Sequence, residues 1–236
     1  MQRYFVNEKK DSFFLINKED SYHIVKVMRM AINDRIEVIY DNTLYICKII
    51  ELGDTVKCEI VDEIHEEKLG TPKVIIAQSL VKEQKMDYIL QKCAELNVYS
   101  IIPINTVRSV VKLDSCDKKL IRWNKILKEA SEQSKRLEIP KLDRIMDIKD
   151  LINVKCDCKY ICSVNEKSKT IKSVLSNTKK SDTILFVIGP EGGFSSSEEK
   201  LLIDNGFIPI SLGKNVLRTE TASLFILSAI NYEFLG

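Results

Sequence analysis

Glu191, Arg218 and Glu220, with the five glycines between Ile188 and Ala222, are spaced for chemistry on a small molecule. The segment reads IGPEGGFSSSEEKLLIDNGFIPISLGKNVLRTETA. One turn, Gly189-Pro190-Glu191-Gly192-Gly193, follows the apolar run Thr183–Ile188, and a second, Leu212-Gly213, follows Phe207–Leu212. Arg218-Thr219-Glu220-Thr221 then reads as a helix start. Glycines accept positive φ and let a ligand approach the main chain. Two strand ends and one helix start can therefore build a site largely from backbone, with Glu191, Arg218 and Glu220 as its charges. The spacing excludes the usual phosphate cradles. There is no G-x-x-x-x-G-K-[ST], and Gly189 to Gly193 is not G-x-G-x-x-G. Glu191 would also repel a phosphate, so a ligand carrying positive charge is expected.

These residues need elements to hold them. The unbroken β-branched run Thr183–Ile188 is expected to be a buried parallel strand. Ser195-x-x-Glu198 has capping-box spacing and predicts a helix start, and Asn205-Gly206 predicts its stop. Thr219 is predicted to N-cap a final helix carrying Leu224, Phe225, Leu227, Ile230 and Phe234 on its apolar side. Further upstream, strands and helices alternate. Val74–Leu80 reads as a strand, and Met86, Ile89, Leu90, Cys93 and Leu96 fall at helical spacing. Lys118–Leu137 reads as a long helix and Tyr160–Val164 as another strand. The alternation predicts an α/β domain with a parallel sheet covered on both faces. The first seventy residues differ. Arg35–Tyr40, Leu44–Ile50 and Val56–Ile64 alternate apolar and polar, with turns at Asp41-Asn42 and Gly53-Asp54. A short helix is expected over Tyr22–Met30, capped by Asp20 or Ser21. Glu66–Pro72 reads as the linker, giving domains at 1–70 and 71–236.

Composition bounds the function without naming it. A hydrophobic content of 44% and a charged content of 30% suit a globular protein. No apolar stretch approaches the ~20 residues needed to span a bilayer, and the start is not a signal peptide, so a cytoplasmic protein is expected. The seven cysteines are odd in number and scattered, which favours free thiols. Cys156-x-Cys158-x-x-x-Cys162 resembles a metal spacing but equally a half-buried strand, and it lacks a nearby fourth ligand; no metal is expected. Net charge is only +2. Positive charge concentrates between Thr106 and Met146, with 11 basic against 6 acidic residues, which suits either a solvated helix face or a polyanion partner.

GPEGGFS-x-x-E followed by LG-x-x-x-LRTETA resembles the signature of the RsmE-type ribosomal RNA methyltransferases of the SPOUT superfamily. The likeness continues in Gln78-Ser79-Leu80-x-Lys82, in Lys85 through Lys92, in Ala94-Glu95-Leu96 and in Arg108 through Lys112. It also covers Arg122-Trp123, Glu129 through Arg136, Arg3-Tyr4-Phe5 and His23-x-x-x-Val27-Met28-Arg29. It thus spans nearly the whole chain. Asn33, Asn97 and Lys135 stand where the family usually has glycine; asparagine is the next-best residue for the left-handed region.

The resemblance implies a SPOUT-type parallel-sheet domain with a C-terminal trefoil knot, a small N-terminal PUA-like RNA-binding β-barrel, and a homodimer. It implies S-adenosyl-L-methionine as methyl donor and N3 of a uridine in 16S ribosomal RNA, or in the small ribosomal subunit, as acceptor. Cofactor contacts are then expected from Gly189, Pro190, Glu191, Gly192, Gly193, Leu212, Gly213, Val216, Leu217, Arg218 and Thr221, with the leucines and Val216 either flanking the purine or serving as core. Arg218, Glu191 and Glu220 are the catalytic candidates. Arg218 could stabilise the negative charge that develops on the base, or pair with Glu191 or Glu220. Glu191 could face the sulfonium, act as base or brace its own turn. No histidine lies in any motif, which argues against a histidine base. Arg3, Arg29, Arg108, Lys112, Arg122, Lys135 and Arg136 are the candidate RNA contacts, with buried or dimer-interface salt bridges as the alternative for Arg108 and Arg136. A non-catalytic RNA-binding assembly factor on the same fold is the competing reading.

Overall fold

The structure is a computed structural model that describes residues 1–65, 70–113 and 117–235. It divides into two compact units, Met1–Lys68 with Ser131–Ile139, and Leu69–Ala130 with Pro140–Gly236. The linker expected at Glu66–Pro72 has its first four residues outside the described ones.

The first unit is a curled six-stranded sheet. Its strands are β1 (Arg3–Phe5), β2 (Lys9–Lys10), β3 (Phe13–Leu15), β4 (Arg35–Tyr40), β5 (Thr43–Glu51) and β6 (Lys57–Ile64), in the order β1-β4-β5-β6-β3-β2. Only the β1–β4 pair is parallel. The alternation seen in the sequence puts Ile36, Val38, Cys47, Ile49 and Cys58 inward with Phe14 and Tyr4. Asp41 and Asn42 have φ of 48° and 59°, the two positive angles a tight two-residue hairpin requires, and Tyr40 pairs with Thr43 across it. The helix expected over Tyr22–Met30 starts earlier. Helix α1 covers Lys18–Tyr22, because the Asn17 side chain accepts from the Asp20 N–H, and it continues as a π-helical turn over His23–Val27. Segment 131–139 is tied to this unit by side chains. Arg3 Nε meets Glu37 Oε2 at 2.7 Å, while Arg3 Nη1 donates to the carbonyls of Lys135 and Arg136. Glu132 accepts from the Phe5 N–H, and Lys135 Nζ lies 2.9 Å from Glu37.

The second unit is an α/β layer structure. Its strands are β7 (Lys73–Ser79), β8 (Ser100–Asn105), β9 (Lys141–Leu142), β10 (Met146–Asp147), β11 (Cys158–Cys162), β12 (Thr183–Ile188) and β13 (Ile208–Ile210). All pairs are parallel, in the order β10-β8-β7-β12-β11-β13, with β9 also on β8. The helices are α2 (Glu83–Glu95), α3 (Asp117–Gln133), α4 (Ile148–Leu151), α5 (Ile171–Leu175), α6 (Ser196–Asp204) and α7 (Thr219–Phe234). The period-two rule of a strand divides each central strand between two cores. Ile184, Phe186 and Ile188 of β12 pack with Val74 and Ile76 of β7 against α2, α3, α5 and α7. Leu185 and Val187 face the other way with Ile75 and Ala77, towards α4 and α6. That two-sided burial is why β12 reads as an unbroken apolar run.

Candidate functional site

The carboxyl ends of three adjacent strands, β11, β12 and β13, open onto one cleft of about 520 Å3. Ligand sites in open parallel sheets form at this kind of place, and small-molecule pockets run from roughly 300 to 1,000 Å3. Three loops, with Arg108 from the loop after β8, form the walls. Ser163 to Lys167 follow β11, Gly189 to Phe194 follow β12, and Ser211 to Arg218 follow β13. Gly189, Pro190, Glu191, Gly192, Gly193, Leu212, Gly213, Val216, Leu217 and Arg218 are thus brought together on one lining. Thr221 is not on it; with Glu220 it lines a neighbouring cavity.

Backbone geometry explains the glycines. Gly193 has φ of 65°, closes a turn by donating to the Pro190 carbonyl at 2.9 Å, and leaves open space where a side chain would stand. Gly213 has φ of 132°, again with open space beside it. Gly189 is closed differently: a Cβ there would lie 3.2 Å from the Phe194 ring. A Cβ at Gly192 would lie 3.4 Å from Arg108 Cβ.

Buried hydrogen bonds fix the floor. Ser79 Oγ donates to the Ile188 carbonyl at 2.7 Å. Thr219 Oγ1 donates to the Gly189 carbonyl at 2.7 Å and accepts from Gln78 Nε2 at 2.8 Å. Thr219 therefore does not N-cap the last helix. Arg218, with extended backbone angles, holds the N-cap position, and the Thr219 hydroxyl is used to tie α7 to β7 and to the glycine turn. The capping box at Ser195 and Glu198 is present, and Glu198 also accepts from the Val107 N–H at 2.7 Å. That bond holds the loop after β8 against α6, where Arg108 Nη1 donates to the Gly192 carbonyl at 2.9 Å.

The charges sort into two sets. Lys85, from the first turn of α2, lies 2.8 Å from Glu191 and 3.6 Å from Glu220. The Lys85 hydrogen bond holds the Glu191 carboxyl below its ordinary range, and the same bond raises the Lys85 ammonium. Glu191 is thereby less basic than a free glutamate. Arg218 is exposed on the cleft wall and has no ion-pair partner among the described residues. Sequence reasoning offered Glu191 or Glu220 as its partner. Lys85 takes both, a pairing across more than a hundred residues. Ser163, Asn165 and Glu199 were also missed: Ser163 Oγ and Asn165 Nδ2 donate to the Glu199 carboxylate on the cleft wall. Cys162 lines the cleft as a neutral thiol, pushed up to about 12 by burial. Cys158 and Cys162 pack against one core and Cys156 against the other, so the three cysteines do not converge.

Most of the candidate RNA contacts are engaged within the chain. Arg3 is buried in its pairing with Glu37, and Arg136 donates to the Glu138 carbonyl with its guanidinium lowered to about 10 by burial. Lys135 has φ of 62° and also serves Glu37. Arg122 pairs with Glu83 and Asp87 of α2. Arg29 and Lys112 are exposed.

A family model described as an RNA methyltransferase domain matches residues 68–231, and one described as an RNA methyltransferase PUA domain matches residues 16–62. The chain is 37% identical to ribosomal RNA small subunit methyltransferase E of Bacillus subtilis (strain 168), over 99% of this chain and 97% of that protein. It is 31% identical to the protein of the same name from Mesomycoplasma hyopneumoniae (strain 232), over 97% and 98%. Among solved structures, ribosomal RNA small subunit methyltransferase E from Neisseria gonorrhoeae, bound to S-adenosyl methionine, superposes with a TM-score of 0.88 at 28% identity, covering 98% of this chain and 97% of that one.

Proposed function

The chain belongs to the ribosomal RNA small subunit methyltransferase E family, and from that premise we propose that it methylates a uridine of 16S ribosomal RNA at N3, using S-adenosyl-L-methionine bound in the cleft at the ends of β11, β12 and β13. The cleft suits that cofactor. At Gly193 and Gly213 the space a side chain would fill is empty, so a purine can approach the main chain closely, and Leu212, Val216 and Leu217 supply apolar flanks. When bound, S-adenosylmethionine supplies an electrophilic methyl group on a positively charged sulfur. Glu191 adds a carboxylate to the same lining.

The observation that carries the reading is the state of Arg218. Uridine N3 must lose a proton, and negative charge then spreads over O2, N3 and O4. A preorganised cation stabilises such charge only as it develops. Arg218 stands on the cleft wall with its guanidinium unpaired among the described residues, while Lys85 lies 2.8 Å from Glu191 and 3.6 Å from Glu220. The same reading carries a C-terminal knot, a homodimer and a cytoplasmic location, where ribosomal RNA is made. No helix among the described residues is long and apolar enough to cross a membrane.

Mass spectrometry of 16S ribosomal RNA from cells with and without the gene tests the reaction. Loss of one 3-methyluridine, restored by the purified protein with S-adenosylmethionine, is the expected result; unchanged methyluridine content would overturn it. Sedimentation at micromolar concentration tests the dimer.

A further inference from the structure

We propose that the second cavity, beside the cofactor cleft, is the uracil pocket, with Tyr88 as its stacking surface and Glu220 as the acceptor that distinguishes uracil from cytosine. This rests on the uridine reading above. The cavity, of about 480 Å3, is lined by Gln84, Lys85, Tyr88, Glu220, Thr221 and Leu224. It adjoins the cleft at two points. Lys85 on its wall bonds Glu191 on the cleft wall at 2.8 Å, and Glu220 directly follows Thr219 of the cleft lining.

The lining matches the edge of uracil group by group. A base taken out of its stack needs an apolar or aromatic face to lie on, and Tyr88 and Leu224 provide one; Tyr88 is 45% exposed. Uracil presents O2 and O4 as acceptors, and the Gln84 amide and Lys85 ammonium are donors. Between its two carbonyls uracil has one donor, N3–H. Glu220 has a buried carboxylate oxygen, Oε2, with no hydrogen-bond donor among the described residues, the Lys85 ammonium being 3.6 Å away. Cytosine would offer a bare N3 to that carboxylate and an amino group to the donors, so the same lining would repel it. Of these residues, Thr221 is among the expected cofactor contacts and Glu220 among the catalytic candidates, whereas Gln84, Tyr88 and Leu224 belong to neither set.

The test uses the full chain saturated with S-adenosylhomocysteine, the demethylated cofactor product, and saturation-transfer NMR with uridine and cytidine 5′-monophosphates. Uridine monophosphate should bind at least tenfold better than cytidine monophosphate. Tyr88→Leu should abolish both signals, Tyr88→Phe should restore them, and Glu220→Ala should erase the preference. In RNA methylation, Tyr88→Leu should lower kcat/KM for RNA by roughly 5- to 150-fold, the value of one base stack, with affinity for S-adenosylmethionine within twofold. If the wild-type protein methylates uridine yet binds both nucleotides alike, or Tyr88→Leu methylates normally, the pocket is overturned. It is equally overturned if the Tyr88→Leu loss tracks weakened cofactor binding or a change in sedimentation. Absence of methyluridine from the wild-type reaction overturns the underlying uridine reading instead.

Discussion

Arg218 and Arg3 carry the same guanidinium into opposite surroundings. Arg218 stands exposed at the start of α7 on the cleft wall, while Lys85 lies 2.8 Å from Glu191 and 3.6 Å from Glu220. Arg3 is buried in the N-terminal sheet, where Glu37 accepts from its Nε and two carbonyls of segment 131–139 accept from its Nη1. Charge available for an external partner is charge the fold has left unpaired. The count of basic residues in a stretch of sequence therefore says little about RNA, whereas the pairing state of each residue says much.

Breaking that contrast should give effects of different kinds as well as sizes. The largest expected is Arg3→Ala. Removing Arg3 takes one of two cations from Glu37, Lys135 remaining, and leaves two carbonyls without their donor, at up to about 3–5 kcal/mol. Urea unfolding should register that loss, and an unchanged midpoint would show that the pairing contributes little. Arg218→Ala should leave unfolding unaltered while lowering single-turnover methylation on the order of 10²–10³-fold. If Arg218 instead served phosphate positioning, the variant would weaken RNA binding and flatten its salt dependence while methylating normally at saturating RNA.

Gly213→Ala comes next. Its φ of 132° is a conformation that side-chain-bearing residues resist, at about 1–3 kcal/mol, so calorimetry should find S-adenosylmethionine bound roughly 5- to 150-fold more weakly if the loop relaxes. Wild-type affinity would remove that turn from the cofactor site. Arg122→Ala should do least, because exposed ion pairs such as those with Glu83 and Asp87 contribute about 1 kcal/mol or less. A loss of RNA affinity in that variant would return Arg122 to the RNA surface. Acid sharpens the Arg3 side of the comparison. Burial pushes the Glu37 carboxyl up, but hydrogen bonds from Lys135 and Arg3 outweigh it and hold it below its ordinary value. A depressed carboxylate contributes stability above its unfolded pKa, about 4.3, and loses it as pH falls through the lower folded value. Unfolding of the wild type should therefore steepen below about pH 4 more than that of Arg3→Ala.

Local signals were legible and distant ones were not. The apolar run of β12, the capping box at Ser195 and Glu198, and the stop at Asn205-Gly206 were all readable because each involves neighbours within a turn or a strand. So were the positions that resemblance marked as glycine: Asn33, Asn97 and Lys135 all adopt positive φ, at 75°, 63° and 62°. Thr219 was misplaced as an N-cap, since the atoms that claim its hydroxyl belong to Gly189 and Gln78. Lys85 looked like part of a motif with no role, because Glu191 and Glu220 lie more than a hundred residues on. The burial of Arg3 had no local signature either. Pairing across long sequence separations leaves no period to read.

Segment 131–139 also sets a clock. The carbonyls that Arg3 needs are not synthesised until residue 136, long after the last strand of the N-terminal sheet has left the peptidyl-transferase centre. At ~5–20 residues per second, roughly 4 to 14 s pass between residues 68 and 139. During that interval Arg3 has one of its three partners, Glu37, so the sheet's final consolidation waits on the nascent chain rather than on its own folding rate.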